Sequence, residues 1–483
     1  MNKLRVVIAA KLFFHRFYRL LRILYRQHRF YRRILKSSHV IPMGFLAVIL
    51  LGAMLLYLPI SSAAGEQTSF LTALFTATTS VCVTGSVVVD TFSHWSLFGK
   101  FVILLLIQTG GLGIVAIICS LLIFNRQQLS LGSSIILKDA YNLDSAREIS
   151  RFLSYVAGGT LIVEAAGAVG YLPFFAGRYG IIRGIWYSVF TSVSAFCNAG
   201  IDILGPDSLI RYSDNVMVLG ITMVLIVLGG IGYVVWFDVL GVKKTRLSRI
   251  AHAKNHHRRL LGHTRLVLRL TAAFIFGGAL VIFLLEYNNA GTIGEMSLGQ
   301  KILNSIFESV SFRTAGFSTF PQENMKESTS ILGIFLMFTG GSPVGTAGGV
   351  KTVTMFVLMA NVMAFIRGEN EVTVMKRRIP DDVIRKAVAI ITVHFIISFV
   401  LCFFLMLAAD LSAVDAMFEI MSAVSTVGLS RGVTAGLNPV GQWIVILGMY
   451  LGRIGPISMF LFFQTGHSEK SGVRHADGKF IVG

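Results

Sequence analysis

Four short segments of the chain resemble one another: FTATTSVCVTGS (Phe75–Ser86), FTSVSAFCNAGI (Phe190–Ile201), FESVSFRTAGF (Phe307–Phe317) and FEIMSAVSTVGL (Phe418–Leu429). Their glycines, Gly85, Gly200, Gly316 and Gly428, lie 115, 116 and 112 residues apart. Such a period across nearly the whole chain marks an internal repeat, so one structural unit is built four times. Few constraints on a fold are stronger.

Hydropathy says where that unit lives. The chain has 483 residues, is 54% hydrophobic and 14% charged, and has a mean hydropathy of +0.71. That composition belongs to polytopic membrane proteins. Eight apolar stretches are expected to span: about 40–60, 101–124, 152–175, 216–237, 266–285, 331–366, 387–409 and 443–463. Each repeat then reads as span, re-entrant segment, span. The predicted re-entrant segments, 10–12 residues, are too short to cross. Two spans per repeat is an even number, so the four units are parallel, around an axis along the membrane normal. The expected fold is an all-α polytopic membrane protein with pseudo-four-fold symmetry about a central pore. The predicted divisions are a basic amphipathic N-terminus (1–39), repeat one (40–124), repeat two (152–240), repeat three (264–367, with an intramembrane loop at 340–352), repeat four (383–465) and a tail (466–483).

Charge orients the chain. The net charge is +19, and Lys and Arg concentrate in alternate connecting segments. With the N-terminus inside, this is the positive-inside pattern, so both termini are expected to be cytoplasmic. Residues 11–36, KLFFHRFYRLLRILYRQHRFYRRILK, hold no acid and repeat Arg every three or four positions. That pattern suits a helix lying on anionic lipid. The basic run KNHHRRLLGHTR is expected to meet an acidic or nucleotide-binding cytosolic assembly. No nucleic-acid motif is present, so basicity here serves the membrane and its partners. The four cysteines sit in apolar surroundings without a C-x-x-C pair and read as packing residues.

The chemistry sits at the end of each short helix, where four triplets ending in glycine recur: Val83-Thr84-Gly85, Asn198-Ala199-Gly200, Thr314-Ala315-Gly316 and Thr426-Val427-Gly428. Glycine permits the backbone angles that aim carbonyl oxygens at an axis, and rings of carbonyls can replace the hydration shell of a cation. These twelve residues are the predicted cation site. No cofactor, nucleophile triad, P-loop or metal cluster is expected. The second spans carry small residues at corresponding positions: Gly110-Gly111-Leu112-Gly113, Gly229-Gly230-Ile231-Gly232 and Gly452-Arg453-Ile454-Gly455. The first two read best as close-packing helix motifs. In repeat three the motif expands to GGSPVGTAGG (340–349), too rich in Gly and Pro for a helix interior. It is expected to be a flexible loop, solvated by pore water, that plugs the path below the filter where the other three repeats stay compact. The predicted gate comprises Gly340, Gly341, Ser342, Pro343, Gly345, Thr346, Gly348, Gly349, Lys351 and Arg453.

TSVCVTG, FCNAG, SFRTAGF, STVGLSRG, the GGSPVGTAGGVKT loop and the Arg of LGRIG, in that order, resemble the TrkH/KtrB superfamily of bacterial potassium transporters, over about residues 40–465. Length and the eight-span layout put the chain nearer the KtrB-type subunits. The resemblance implies potassium as substrate, an inner-membrane location, homodimers, a gating loop in repeat three, and a cytosolic ring of nucleotide-binding regulatory subunits of the TrkA/KtrA type. Sodium is the candidate coupling ion. The competing mechanism is a proton-coupled symporter with Glu164 as relay. A membrane enzyme, the reading from another class, would need clustered nucleophiles, metal ligands or paired acids, and the intramembrane acids are scattered. Arg453 is expected to face the pore or a carboxylate. Arg313, in the third triplet segment, is expected to point behind the filter toward Glu308 or Glu419.

Overall fold

The computed structural model describes residues 37–113, 146–240 and 260–455. Most of the basic N-terminus, the first half of the KNHHRRLLGHTR run and the tail lie outside the described residues. Apart from one two-stranded hairpin, the regular structure is helical.

Each repeat supplies a first helix, a short helix and a second helix. The first helices are α1 (Ser37–Tyr57), α5 (Ala146–Tyr179), α9 (Gly262–Glu286) and α13 (Asp381–Ala408). The short helices are α2 (Phe70–Cys82), α6 (Ile181–Cys197), α10 (Leu298–Ser311) and α14 (Ala413–Val424). The second helices are α4 (Leu97–Leu112), α7 (Val216–Gly230), α11 (Glu327–Phe338) and α15 (Pro439–Ile454). One-turn α3 (Thr91–His94), α8 (Tyr233–Val239) and α12 (Thr352–Ile366) complete the helices, and the β1–β2 hairpin (Thr373–Val374, Arg377–Arg378) joins α12 to α13.

Serine side chains start three of the short helices. Ser69 accepts from Thr72 N, Ser412 accepts from Asp415 N, and Ser297 forms a capping box with Gln300. Each cap pairs an amide that would otherwise be orphaned at the helix start. The short helices run 12 to 17 residues, longer than the sequence suggests. At 17 residues α6 is about 25 Å long, still under the ~30 Å of a hydrocarbon core.

The short helices are the centre of the molecule: residues 73–82 of α2 and 418–424 of α14 are all buried. The first helices lie outside, with Phe276 and Leu280 on α9 and Phe395, Phe399 and Phe403 on α13 exposed. Within each repeat the first helix packs on its short helix. The second helix packs on the short helix of the next repeat: α4 on α6, α7 on α10, α11 on α14, and α15 back on α2. The packing therefore closes into a cycle.

Among the described residues three helices are long and apolar enough to cross a membrane: Phe152–Tyr179, Gly262–Glu286 and Asp381–Ala408. A fourth candidate, α7 with α8, is bent by 101°. The expected straight span 216–237 is therefore broken. Expected spans 101–124 and 443–463 stop being helical at Gly113 and Gly455, and their continuations lie outside the described residues.

Candidate functional site

All four glycine triplets adopt one backbone pattern. Val83, Asn198, Thr314 and Thr426 have φ of 56°, 60°, 71° and 52°, and Gly85, Gly200, Gly316 and Gly428 are also left-handed. Thr84, Ala199, Ala315 and Val427 between them are not. Alternating handedness turns successive carbonyls to one side of a strand. Three of the four leading residues are β-branched, for which positive φ is a genuine outlier, costing about 1–3 kcal/mol per residue. Strain shared by four segments is a property of the site.

The triplets meet one another in order. A side-chain carbon added at Gly85 would lie 2.6 Å from the carbonyl oxygen of Ala199, and at Gly200 2.7 Å from that of Ala315. At Gly316 it would strike the Val427 carbonyl, and at Gly428 the Thr84 carbonyl. Each glycine thus faces the middle carbonyl of the next triplet, and the fourth closes on the first. Only a hydrogen atom fits at these positions.

Hydroxyls six residues before the glycine brace this ring. Gly85 N donates to Thr79 Oγ1 and Gly428 N to Ser422 Oγ, both at 3.0 Å. Ser194 holds the corresponding position in repeat two, but its hydroxyl makes no such bond. Repeat three is one residue shorter between its Phe and Gly, and there Ser311 donates instead to the Phe317 carbonyl. The hydroxyl column is visible in the aligned segments once it is sought, and motif reading overlooked it.

Every second helix breaks at the glycine motif. Gly113, Gly232 and Gly455 have φ of 84°, 92° and 83° and end or bend their helices. The helical spans expected through these motifs are therefore interrupted there. Close packing holds: a side chain on Gly110, Gly229 or Gly452 would strike the carbonyl of Val81, Phe196 or Val424, each four residues before its triplet glycine. Helix and short helix must approach backbone to backbone there.

In repeat three the break runs from residue 339 to 351, and its backbone is extensively hydrogen-bonded. Gly340 N donates to Val350 O, Val350 N to Phe338 O and Thr352 N to Gly341 O, each at 3.0 Å. Ser342 N reaches Gly230 O at 2.9 Å, Thr346 N reaches Gly229 O at 3.1 Å, and Tyr233 N reaches Val344 O at 3.0 Å. Thr346 Oγ1 lies 3.0 Å from Asn198 Oδ1 and 3.2 Å from the Phe196 carbonyl. Gly348 abuts Ser425 and Thr426, the foot of the fourth triplet. The expected flexible loop is thus a largely buried, hydrogen-bonded segment, because its neighbours' helix breaks supply free carbonyls.

Two arginines and a lysine secure it. Arg453 Nη1 donates to Thr346 O at 2.7 Å, and Nη2 donates to Gly110 O in repeat one. Both of these acceptors are carbonyls, and Arg453 also lines a cavity facing the loop, in keeping with the expectation that it faces the pore or a carboxylate. Lys351 Nζ donates to Ala347 O. Arg313 does not pair with the expected Glu308 or Glu419: Nη2 donates to Gly340 O at 3.4 Å and the guanidinium lies over Phe274 at 5.9 Å. Glu419 is engaged elsewhere, accepting from Thr434 Oγ1. Facing the loop is a cavity of about 460 Å³, lined by Gly345, Gly348, Lys351, Arg453, Tyr233 and His394 among others. Glu164 is not on the ring; it takes bonds from Gln108 at 3.2 Å and Cys197 at 3.8 Å. Among the described residues no His, Cys, Asp or Glu cluster could hold a metal.

A cyclic four-repeat helical architecture with strained, carbonyl-bearing triplets at its centre defines a class: membrane cation transporters. The chain matches the family model described as "TrkH: Cation transport protein" over residues 4–472, and it belongs to that family. It is 33% identical to the potassium/sodium uptake protein NtpJ of Enterococcus hirae, over 94% of this chain and 98% of that one. It is also 33% identical to the Ktr system potassium uptake protein B of Bacillus subtilis, over 92% and 96% of the two chains. The crystal structure of the potassium transporter TrkH from Vibrio parahaemolyticus shares the fold, with a TM-score of 0.67 at 17% identity, covering 89% and 86% of the two chains.

Proposed function

We propose that the chain is the membrane subunit of a potassium uptake system, with the four triplets as its selectivity filter and residues 340–351 with Arg453 as its gate. The carrying observation is the closure of the four triplets, each glycine against the next repeat's middle carbonyl. In this reading Val83, Thr84, Gly85, Asn198, Ala199, Gly200, Thr314, Ala315, Gly316, Thr426, Val427 and Gly428 offer backbone oxygens to a dehydrated cation. Potassium as the ion is supported by the names of the relatives, which are potassium or potassium/sodium uptake proteins.

The gate works by occupancy and charge. The plug fills the path between the filter and the 460 Å³ cavity. Arg453 places a fixed positive charge at that level and ties the plug to repeat one through Gly110. Opening requires those bonds to break. Four parallel span–re-entrant–span repeats, with the boundaries predicted from sequence, form the pore. Homodimers, both termini in the cytoplasm, an inner-membrane location and a cytosolic nucleotide-binding ring belong to the same proposal and rest on the family resemblance and the charge pattern. Sodium is the candidate coupling ion. Glu164 makes its described side-chain bonds to Gln108 and Cys197, which gives a proton relay on the ion path no support.

Flux in proteoliposomes with potassium, rubidium, sodium and lithium tests the reading. Potassium and rubidium should pass in preference to sodium and lithium. Equal passage of all four would refute the filter assignment.

A further inference from the structure

Behind the second and third triplets lies a small void of about 20 Å³, lined by Asn198, Gly230, Thr271, Val310, Arg313 and Gly341 among others. Three polar atoms on its lining residues have no hydrogen-bond partner: Asn198 Nδ2, Thr271 Oγ1 and Arg313 Nε. All three residues are more than nine-tenths buried, with relative exposures of 1%, 7% and 8%. We propose that this void is a binding site for one small monovalent anion of the halide class, chloride in the cell.

Charge comes first. A guanidinium keeps its proton in proteins, and a buried charge is costly unless it is paired. The ion pairs of the described residues are made by Arg211, Arg378 and Arg431, and Arg313 has only the Gly340 carbonyl at 3.4 Å and the Phe274 ring. A counter-charge is missing, and the void sits where one would go.

Donor chemistry comes second. The guanidinium Nε–H and the amide Nδ2–H can only donate, and the Thr271 hydroxyl can donate as well. Asn198 Oδ1 is held by Thr346 Oγ1 at 3.0 Å, which directs Nδ2 away from that contact and toward Gly230. A water molecule there would need acceptors for its own two hydrogens, and these three groups offer only one hydroxyl oxygen. An anion needs none.

Size comes third. The void exceeds the roughly 10–15 Å³ that one water requires, yet it is too small for phosphate or a carboxylate metabolite. The remaining wall is apolar, from Ile226, Val227, Ile231 and Ile275, which weakly hydrated halides tolerate. Such an ion would join the second triplet, the third triplet and α9 beside Gly341, where the plug begins. The site stands on packing and donor chemistry and does not depend on the transport reading.

The test uses the full-length protein in detergent at fixed potassium, with chloride, bromide or gluconate as the anion. Chloride and bromide should raise the Tm saturably over gluconate, as a ligand binding only the folded state does. Thr271→Val should abolish that rise, whereas Thr271→Ser should keep it. Crystals grown in bromide should show an anomalous peak between Arg313, Asn198 and Thr271. The proposal is overturned by equal Tm values in the three salts, by a halide shift that survives in Thr271→Val, or by density there without anomalous signal, which would mean water.

Discussion

The second helices of repeats one, two and four set a glycine against equivalent short-helix carbonyls, whereas that of repeat three does not, and the four helices end differently. Those of repeats one and four stop being helical at Gly113 and Gly455, and that of repeat two breaks at Ile231–Gly232 before α8. The third runs through residues 339–351 before α12 resumes. The shared triplets explain what the repeats do alike, and the break of repeat three, longer than that of repeat two, explains what sets it apart. Each of these helix ends leaves carbonyls without an intrahelical donor. Gly229, Gly230 and, through Arg453, Gly110 spend theirs on the plug. The asymmetric element is thus held by the symmetric ones.

Breaking the symmetric half should have the largest effect. Gly428→Ser would drive a side chain into the Thr84 carbonyl and impose left-handed strain of about 1–3 kcal/mol. Potassium-over-sodium discrimination should fall by about tenfold or more, since 1.4 kcal/mol is a factor of ten. Isotope competition in proteoliposomes reads it. Gly316→Ser should behave alike, and a normal ratio in both would detach the triplets from selectivity.

The asymmetric half comes next. Arg453→Gln removes a fixed charge and weakens charge-assisted bonds to Thr346 and Gly110, about 1.5–3 kcal/mol of closed-state stabilisation. Potassium conductance should rise roughly tenfold. Thr346→Val removes only a neutral hydroxyl contact with Asn198 and Phe196, about 1 kcal/mol, and should raise conductance about fivefold. Both act on one barrier, so the double variant should be less than additive. Single-channel or flux recordings decide; conductance unchanged in both variants would make the long break a passive one.

How much of this was legible follows the same division. Glycine spacing exposes the repeat because glycine is required wherever one triplet touches the next, and that need is written in residue identity. The left-handed φ of Val83 and Thr426 is invisible, since β-branched residues ordinarily avoid it and only the assembled ring holds them there. The breaks at Gly113 and Gly455 were signalled by their glycines but read as packing, because a packing glycine and a breaking glycine look the same in sequence. Arg313 misled for another reason. Charge pairing suggests Glu308 or Glu419, whereas the loop folding back brings a carbonyl closer than either acid, and tertiary distance is not in the string. The plug's many bonds were missed because Gly and Ser advertise flexibility when their partners lie a hundred residues away.

The smallest expected effect concerns the segment following the second triplet. Asp202 accepts from Leu204 N at 3.1 Å, and burial, with nearby Asp90 and Asp207, pushes its carboxyl up to about 6. Lowering the pH through 6 protonates it and removes a negative charge close to the ring. The potassium KM should rise modestly between pH 7.5 and 5, and Asp202→Asn should remove that dependence. A pH profile identical in parent and variant would assign the effect to another group.

The central claim is that the middle carbonyls of the four triplets bind the transported ion. Anomalous diffraction from crystals soaked in rubidium or thallium measures this directly. The account predicts a peak within coordination distance of the carbonyl oxygens of Thr84, Ala199, Ala315 and Val427. A peak beside Glu164 with none on the ring would contradict it.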